Sequence, residues 1–220
     1  GDSLEGLNYY TSNDSTFIFP TGDPSFLHPA YEQQPVFQFL QNCWHIVFNS
    51  SGYAQHLGSG WSWDDYTEPF LQQKSEMPVY GNLARITVAN NELKGIPSAI
   101  PLIIKDTLVL SGKYGLMLQK PWDKNEINVY PSTAEKINTE YRIPFVPGNE
   151  DVIRFIGDTL HKKIITGSAS LSAEKQAIKV IHSVPTDAVL QPMMHKSDNF
   201  LAEQTLLKKK KKKLGKFNTE

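Results

Sequence analysis

The chain has one cysteine, Cys43, in 220 residues, so no internal disulfide can form. Beside Trp44 in an apolar run, Cys43 reads as a packing residue rather than a nucleophile. No apolar run reaches the roughly 18 residues of a membrane span, so no transmembrane helix is expected. The opening GDSLEGLNYY has neither a basic stretch nor an apolar one and does not read as a signal peptide. The six histidines, at 28, 45, 56, 161, 182 and 195, show neither H-x-x-x-H nor H-E-x-x-H spacing, so no metal site is expected. With no GxGxxG and no Walker loop, no cofactor is expected either.

The net charge of −1 conceals an asymmetry, because residues 208–213 are six consecutive lysines. Without those six it becomes −7. An acidic body excludes nucleic acid as the expected partner. The lysine run allows three readings: a tether to an anionic surface, a solvated tail, or a stretch foreign to the fold. It falls where an amphipathic helix is expected, and six adjacent like charges present no apolar face. The last two readings are therefore preferred. A 40% hydrophobic and 11% aromatic composition is enough for one large core or two small ones.

Along the chain, TFIF at 16–19 reads as a strand ending at Pro20, and TGDPSFLHP as a turn. Residues 35–41 read as a short helix with proline at its first position, and 43–48 as an apolar strand. LARITVAN at 83–90 alternates as a half-buried strand does. Further strands are expected at 100–104, 107–110, 115–119, 126–130 and 176–181. Residues 150–163 form the clearest helix: Val152, Ile153, Phe155, Ile156 and Leu160 share a face, and a basic last turn suits the dipole. Another helix is expected over 186–194, capped by Thr186 or Asp187, and one more from Phe200. The class is α+β, rich in short strands.

Two segments carry chemistry. In HKSDNFLAEQ, residues 195–204, Ser197 and Asn199 lie two apart on a turn between helices, and such a pair can aim into one cleft. Alone, Ser-Asp-Asn is also an ordinary turn and helix cap. In GSGWSWDDYTEPF, residues 58–70, Trp61, Trp63 and Tyr66 read either as loop packing or as an exposed stacking platform.

PMMHKSDNFLAEQ closely resembles the second active-site motif of the class C low-molecular-mass penicillin-binding proteins, the D-Ala-D-Ala carboxypeptidase/endopeptidase family. GWSWDDYTEPF resembles that family's Gly-Trp-x-Trp-(Asn/Asp)-Asp-x-x-x-x-Phe stretch, and TGDPSF, residues 21–26, resembles its Gly-x-Asp-Pro-(Thr/Ser) turn. The three occur in the family's order between residues 21 and 204. The resemblance implies the inserted, strand-rich part of a penicillin-binding/β-lactamase-like serine transpeptidase fold plus a small part of the catalytic domain. The expected division is an inserted region over 1–165, with an inner subdomain near 84–148. A connector and the SDN-bearing part would follow over 166–220.

The resemblance also implies roles. The Ser197 hydroxyl relays a proton toward the leaving group, and the Asn199 amide fixes the substrate's peptide carbonyl; Asp198 orients the turn. Asp65 pairs with the ammonium of a diaminopimelate-type side chain, and Phe70 covers its methylenes. The family's S-x-x-K nucleophile motif has only one counterpart, SAEK at 172–175, in a segment the family uses as a connector. Its Lys-(Thr/Ser)-Gly motif is absent downstream of SDN. The chain alone is therefore expected to be inactive. Peptidoglycan stem peptides are the implied partner, with β-lactams binding the full-length protein in a periplasmic or cell-envelope setting. Membrane association and oligomeric state are left open. A non-catalytic peptidoglycan-binding module using Trp61, Trp63 and Tyr66 is the alternative.

Overall fold

The computed structural model describes residues 2–53, 57, 65–89, 92–106, 116–131, 139–169, 177–214 and 217. In chain order the elements are β1 (Ser3–Ser12), β2 (Ser15–Pro20), α1 (Pro35–Gln41), β3 (His45–Asn49), β4 (Leu83–Ala89), β5 (Glu92–Ile96), β6 (Leu102–Ile104), β7 (Leu116–Gln119) and β8 (Ile127–Pro131). There follow β9 (Thr139–Pro144), α2 (Asn149–Leu160), β10 (Ile164–Gly167), β11 (Lys179–Pro185), α3 (Thr186–Lys196) and α4 (Asn199–Leu214).

The frame is a five-stranded mixed sheet in the order β10-β3-β2-β1-β11. β1 and β2 form a hairpin whose two-residue turn places Asn13 at φ 51, a conformation asparagine tolerates. β3 lies parallel to both β2 and β10, and β11 closes the far edge antiparallel to β1. The sheet thus takes strands from both sides of residue 165, and β10 runs across that position. Gly6 is a close-approach position. A Cβ there would lie 2.6 Å from Val36 of α1 and 3.0 Å from Ser183 of β11, so only glycine lets the helix sit this near the sheet.

Between Asn82 and Phe145 the chain makes an excursion through two smaller three-stranded sheets, β5-β4-β9 and β6-β8-β7. The Phe145 amide donates to the Asn82 carbonyl at 3.2 Å, so the excursion leaves and returns at adjacent points. One continuous apolar cluster unites frame and excursion, from Leu7, Ile18, Phe48 and Val36 through Ile86, Ile127 and Val129 to Phe155 and Ile156. A second cluster, Tyr31, Val184, Val189, Phe200 and Leu201, lies where α3 and α4 meet β11.

Several expectations need correction. The 43–48 strand begins at His45, which leaves Trp44 86% exposed outside it. α2 stops at Leu160, because His161 turns left-handed at φ 54, and its last turn carries no basic residue. Lys162 is used elsewhere: its ammonium donates to the carbonyls of Leu40 (3.3 Å), Gln41 and Cys43 (2.6 Å), at and just beyond the C-terminus of α1. α3 has no side-chain cap, since the Thr186 amide and hydroxyl both donate to the Asp2 carbonyl, at 2.9 and 2.8 Å.

The lysine run is not a free tail. α4 continues through it, and Lys208 and Lys211 are half-buried. The Lys208 ammonium donates to the Glu5 carbonyl, the Thr21 carbonyl (3.2 Å) and Thr21 Oγ1 (3.1 Å), and Lys211 donates to the Pro20 carbonyl. The face is not apolar. The ammoniums meet backbone acceptors of β1 and of the end of β2, while the methylene stems can lie along the fold. Burial, ahead of any charge effect, lowers both ammoniums to about 8.

Candidate functional site

The turn between α3 and α4 carries Ser197, Asp198 and Asn199. Ser197 ends α3 in the left-handed region at φ 50, and the Asp198 amide closes back on the Met193 carbonyl at 3.1 Å. Asp198 then starts the next helix: its Oδ1 accepts from the Leu201 amide at 2.9 Å and its carbonyl from the Ala202 amide at 3.1 Å. Its side chain is thus spent on the backbone, while Ser197 and Asn199 stay exposed. Phe200 and Leu201, next in line, are buried at 2% and 1% exposure and hold the turn on the body.

Behind the turn sits a support that the sequence reading did not single out. The His28 ring lies nearly parallel to Phe200 (centroids 6.5 Å apart, 12°) and tilted against Tyr31 at 5.2 Å. Its Nδ1 accepts from the Ala30 amide at 3.1 Å, which is the bond of a neutral imidazole. Burial is the main reason His28 is pushed down to about 4; Asp198 opposes that shift, and Arg85 and Lys196 reinforce it. Burial likewise raises the Tyr31 hydroxyl, helped by Asp198 and Asp23. The signal available in the sequence was the 24–31 stretch PSFLHPAY, whose two prolines fix a turn.

Two of the motif segments are brought together. Gln204, fully buried on α4, accepts from the Ser75 amide at 3.2 Å and donates to the Ser75 carbonyl at 2.7 Å and the Gly22 carbonyl at 3.2 Å. Gly22 turns the chain at φ 76 and donates its amide to the Glu76 carbonyl at 2.8 Å. Asp23 follows, 3% exposed, with Oδ1 accepting from the Ser25 amide (3.1 Å) and hydroxyl (2.8 Å). Burial raises its carboxyl above the usual range; the Ser25 amide and then the Lys208 charge oppose this. The TGDPSF turn is thus locked under the helix that starts at the SDN tripeptide.

Asp65 and Phe70 are exposed in two consecutive turns, closed by the Glu68 amide on the Asp65 carbonyl at 2.8 Å and the Leu71 amide on the Glu68 carbonyl at 3.0 Å. The segment is tied to the β7–β8 connection: the Tyr66 hydroxyl donates to the Lys120 carbonyl at 2.9 Å, and Lys120 Nζ lies 5.8 Å from the Tyr66 ring centroid. Lys120 is 4% exposed, and burial lowers its ammonium to about 8 against the pull of Asp123 and Asp151. Trp61 and Trp63 lie outside the described residues, as do the expected strand at 107–110 and the SAEK segment at 172–175. Cys43 is buried, its thiol bonded to the Phe39 carbonyl at 3.4 Å and pushed up mainly by burial. Among the described residues, no group of His, Cys, Asp and Glu could hold a metal ion, and no helix is long and apolar enough to cross a membrane.

The fold, a mixed sheet with a strand-rich excursion and a Ser-x-Asn turn between two helices, is similar to that of solved penicillin-binding proteins. It matches the crystal structure of penicillin-binding protein 4 (dacB) from Haemophilus influenzae with a TM-score of 0.64 at 16% identity, over 99% of this chain and 55% of that one. The structure of that protein complexed with a novel β-lactam matches with a TM-score of 0.60 at 14% identity, over 99% and 53%. The chain therefore spans about half the length of these structures. The model of the D-Ala-D-Ala carboxypeptidase 3 (S13) family matches residues 45–219, and the chain belongs to that family. No curated protein matches the chain.

Proposed function

We propose that the chain is the substrate-framing part of a serine-type D-Ala-D-Ala carboxypeptidase/endopeptidase acting on peptidoglycan stem peptides in the cell envelope. The division suggested by the sequence, an inserted region over 1–165 with an inner part near 84–148 and an SDN-bearing part over 166–220, belongs to this reading. The observation that carries it is the division of labour in the SDN turn. Asp198 satisfies the helix start at 2.9 Å, which frees the neighbouring exposed Ser197 and Asn199 for a ligand.

In the full-length protein a nucleophilic serine, supplied by a part of the polypeptide outside this chain, attacks the carbonyl of the D-Ala-D-Ala bond. The C–N bond breaks and the terminal D-Ala leaves with a proton relayed by the Ser197 hydroxyl. Water then hydrolyses the ester and restores the serine. The Asn199 amide donates to the substrate's peptide carbonyl. Asp65 pairs with the ammonium of the stem peptide's side chain, and Phe70 covers its methylenes. β-Lactams enter as acylating analogues of the same bond.

The test is incubation of this chain with fluorescent penicillin, followed by denaturing electrophoresis. No covalent label is expected, because the chain's one S-x-x-K, SAEK at 172–175, falls in a segment the family uses as a connector, and no Lys-(Thr/Ser)-Gly follows SDN. Labelling at Ser172, or at any other serine, would overturn the assignment of this chain as the framing part.

A further inference from the structure

The aromatic cluster near residue 66 has no part in the acyl transfer, and the structure adds a member to it. Tyr66 (37% exposed), Phe70 (53%) and Trp122 (60%) present their rings at the surface. They come from two segments 50 residues apart in sequence, joined by the Tyr66 hydroxyl bond to the Lys120 carbonyl at 2.9 Å. The connection that carries Trp122 is anchored by Asn125, whose side-chain amide donates to the Val146 carbonyl at 2.7 Å and accepts from the Val146 amide at 2.7 Å. Exposed carboxylates flank the rings, Asp65 on one segment and Asp123 on the other.

We infer that Trp122 and Tyr66 form a saccharide subsite beside Asp65 and Phe70, so that the ligand of this face is a glycopeptide rather than a free peptide. The inference rests on the proposed stem-peptide reading of Asp65 and Phe70. A pyranose offers a flat array of C–H bonds with partial positive charge, which suits the negative face of an aromatic ring. Its hydroxyls donate to carboxylates of the kind Asp65 and Asp123 place at the rim. A protein partner fits less well. A stable interface takes about 800 Å² from each side, and three partly exposed rings offer a small share of that. Tyr66 is also held by its hydroxyl bond before any ligand arrives, which lowers the cost of ordering it.

The experiment measures binding to this chain by calorimetry with two probes. One is a stem peptide containing diaminopimelate; the other is the same peptide carrying the N-acetylglucosamine–N-acetylmuramic acid disaccharide. The glycopeptide is expected to bind about tenfold tighter. Trp122→Ala should remove that increment and leave the peptide's affinity unchanged, whereas Trp122→Phe should retain most of it. Asp65→Asn should weaken both probes, the glycopeptide at least as much as the peptide, because Asp65 faces both the ammonium and the sugar hydroxyls. Equal affinities for the two probes, or an increment that survives Trp122→Ala, would overturn the saccharide subsite while leaving the peptide reading intact. Binding of neither probe would overturn both. Self-association of the chain that is lost in Trp122→Ala would assign the patch to a second copy and overturn the inference.

Discussion

Gln204 is the side chain whose loss most directly tests how the SDN-bearing helix is held. It makes three hydrogen bonds to two distant segments, at Ser75 and Gly22, and none of its surface reaches solvent. Gln204→Ala leaves one amide and two carbonyls without that partner inside the fold. At about 1 kcal/mol net for each bond, the expected loss is about 3 kcal/mol, and more where the cavity does not collapse. In a chain of this size that corresponds to a fall in melting temperature of roughly 6–12 °C.

Gln204→Glu sharpens the test. It keeps the shape and one acceptor but turns a carboxylate oxygen toward two carbonyls. Burial and those carbonyls raise its folded pKa above the unfolded value of about 4.3. The variant's penalty is therefore small in acid and grows as pH rises through the folded value. Urea unfolding of wild type, Gln204→Ala and Gln204→Glu between pH 4 and 8 measures all of this. A Gln204→Ala change within about 0.5 kcal/mol of wild type would refute the anchoring role.

Two further outcomes follow from the buried titrating groups. Burial raises the Asp23 carboxyl, so its contribution is full below the unfolded pKa and declines as pH climbs. Asp23→Asn keeps the Oδ1 acceptor for Ser25 and should match or exceed wild-type stability at pH 7 in urea unfolding, whereas a loss above about 1 kcal/mol would contradict this. His28 is held down to about 4 by burial, so its contribution is present above the unfolded value of about 6.5 and is lost as pH falls toward 4. His28→Phe should flatten that acid-side slope, worth up to about 3 kcal/mol, in melts taken at one-unit pH steps; an unchanged slope would remove His28 as its source.

Elements with a local signal were legible in the sequence. α1 announces itself by Pro35 at its first position, and β4 by its alternation. α2 shows one apolar face, and Val152, Phe155, Ile156 and Leu160 are all buried on it. β1 was missed for a physical reason: its pairing with β11 shifts register on either side of Glu5, so its burial does not alternate. β5, with Glu92, Lys94 and Gly95 in five residues, gives almost no apolar signal at all. The lysine helix defeats any apolar-face rule, because its inward side is satisfied by carbonyls from β1, β2 and the TGDPSF turn that no local pattern reveals. The SDN motif itself was visible in the sequence, but its support by His28, Tyr31 and Gln204 depends on residues more than a hundred positions away and needed the fold.

The meeting of Asn82 and Phe145 bears on how the chain reaches its native state. The β1–β2 hairpin closes over two residues, whereas β1 cannot find β11 until the chain has passed residue 179. The hairpin and the excursion are therefore expected to form first, with the frame completed last. The excursion acts on that final step as one loop with pinned ends, and the entropy of closing a loop grows only with the logarithm of its length. Doubling the excursion would cost the frame about 0.6 kcal/mol. Length can therefore be added to the loops of the excursion at little cost to the frame sheet, so long as Ile86, Ile127 and Val129 keep their places in the shared core.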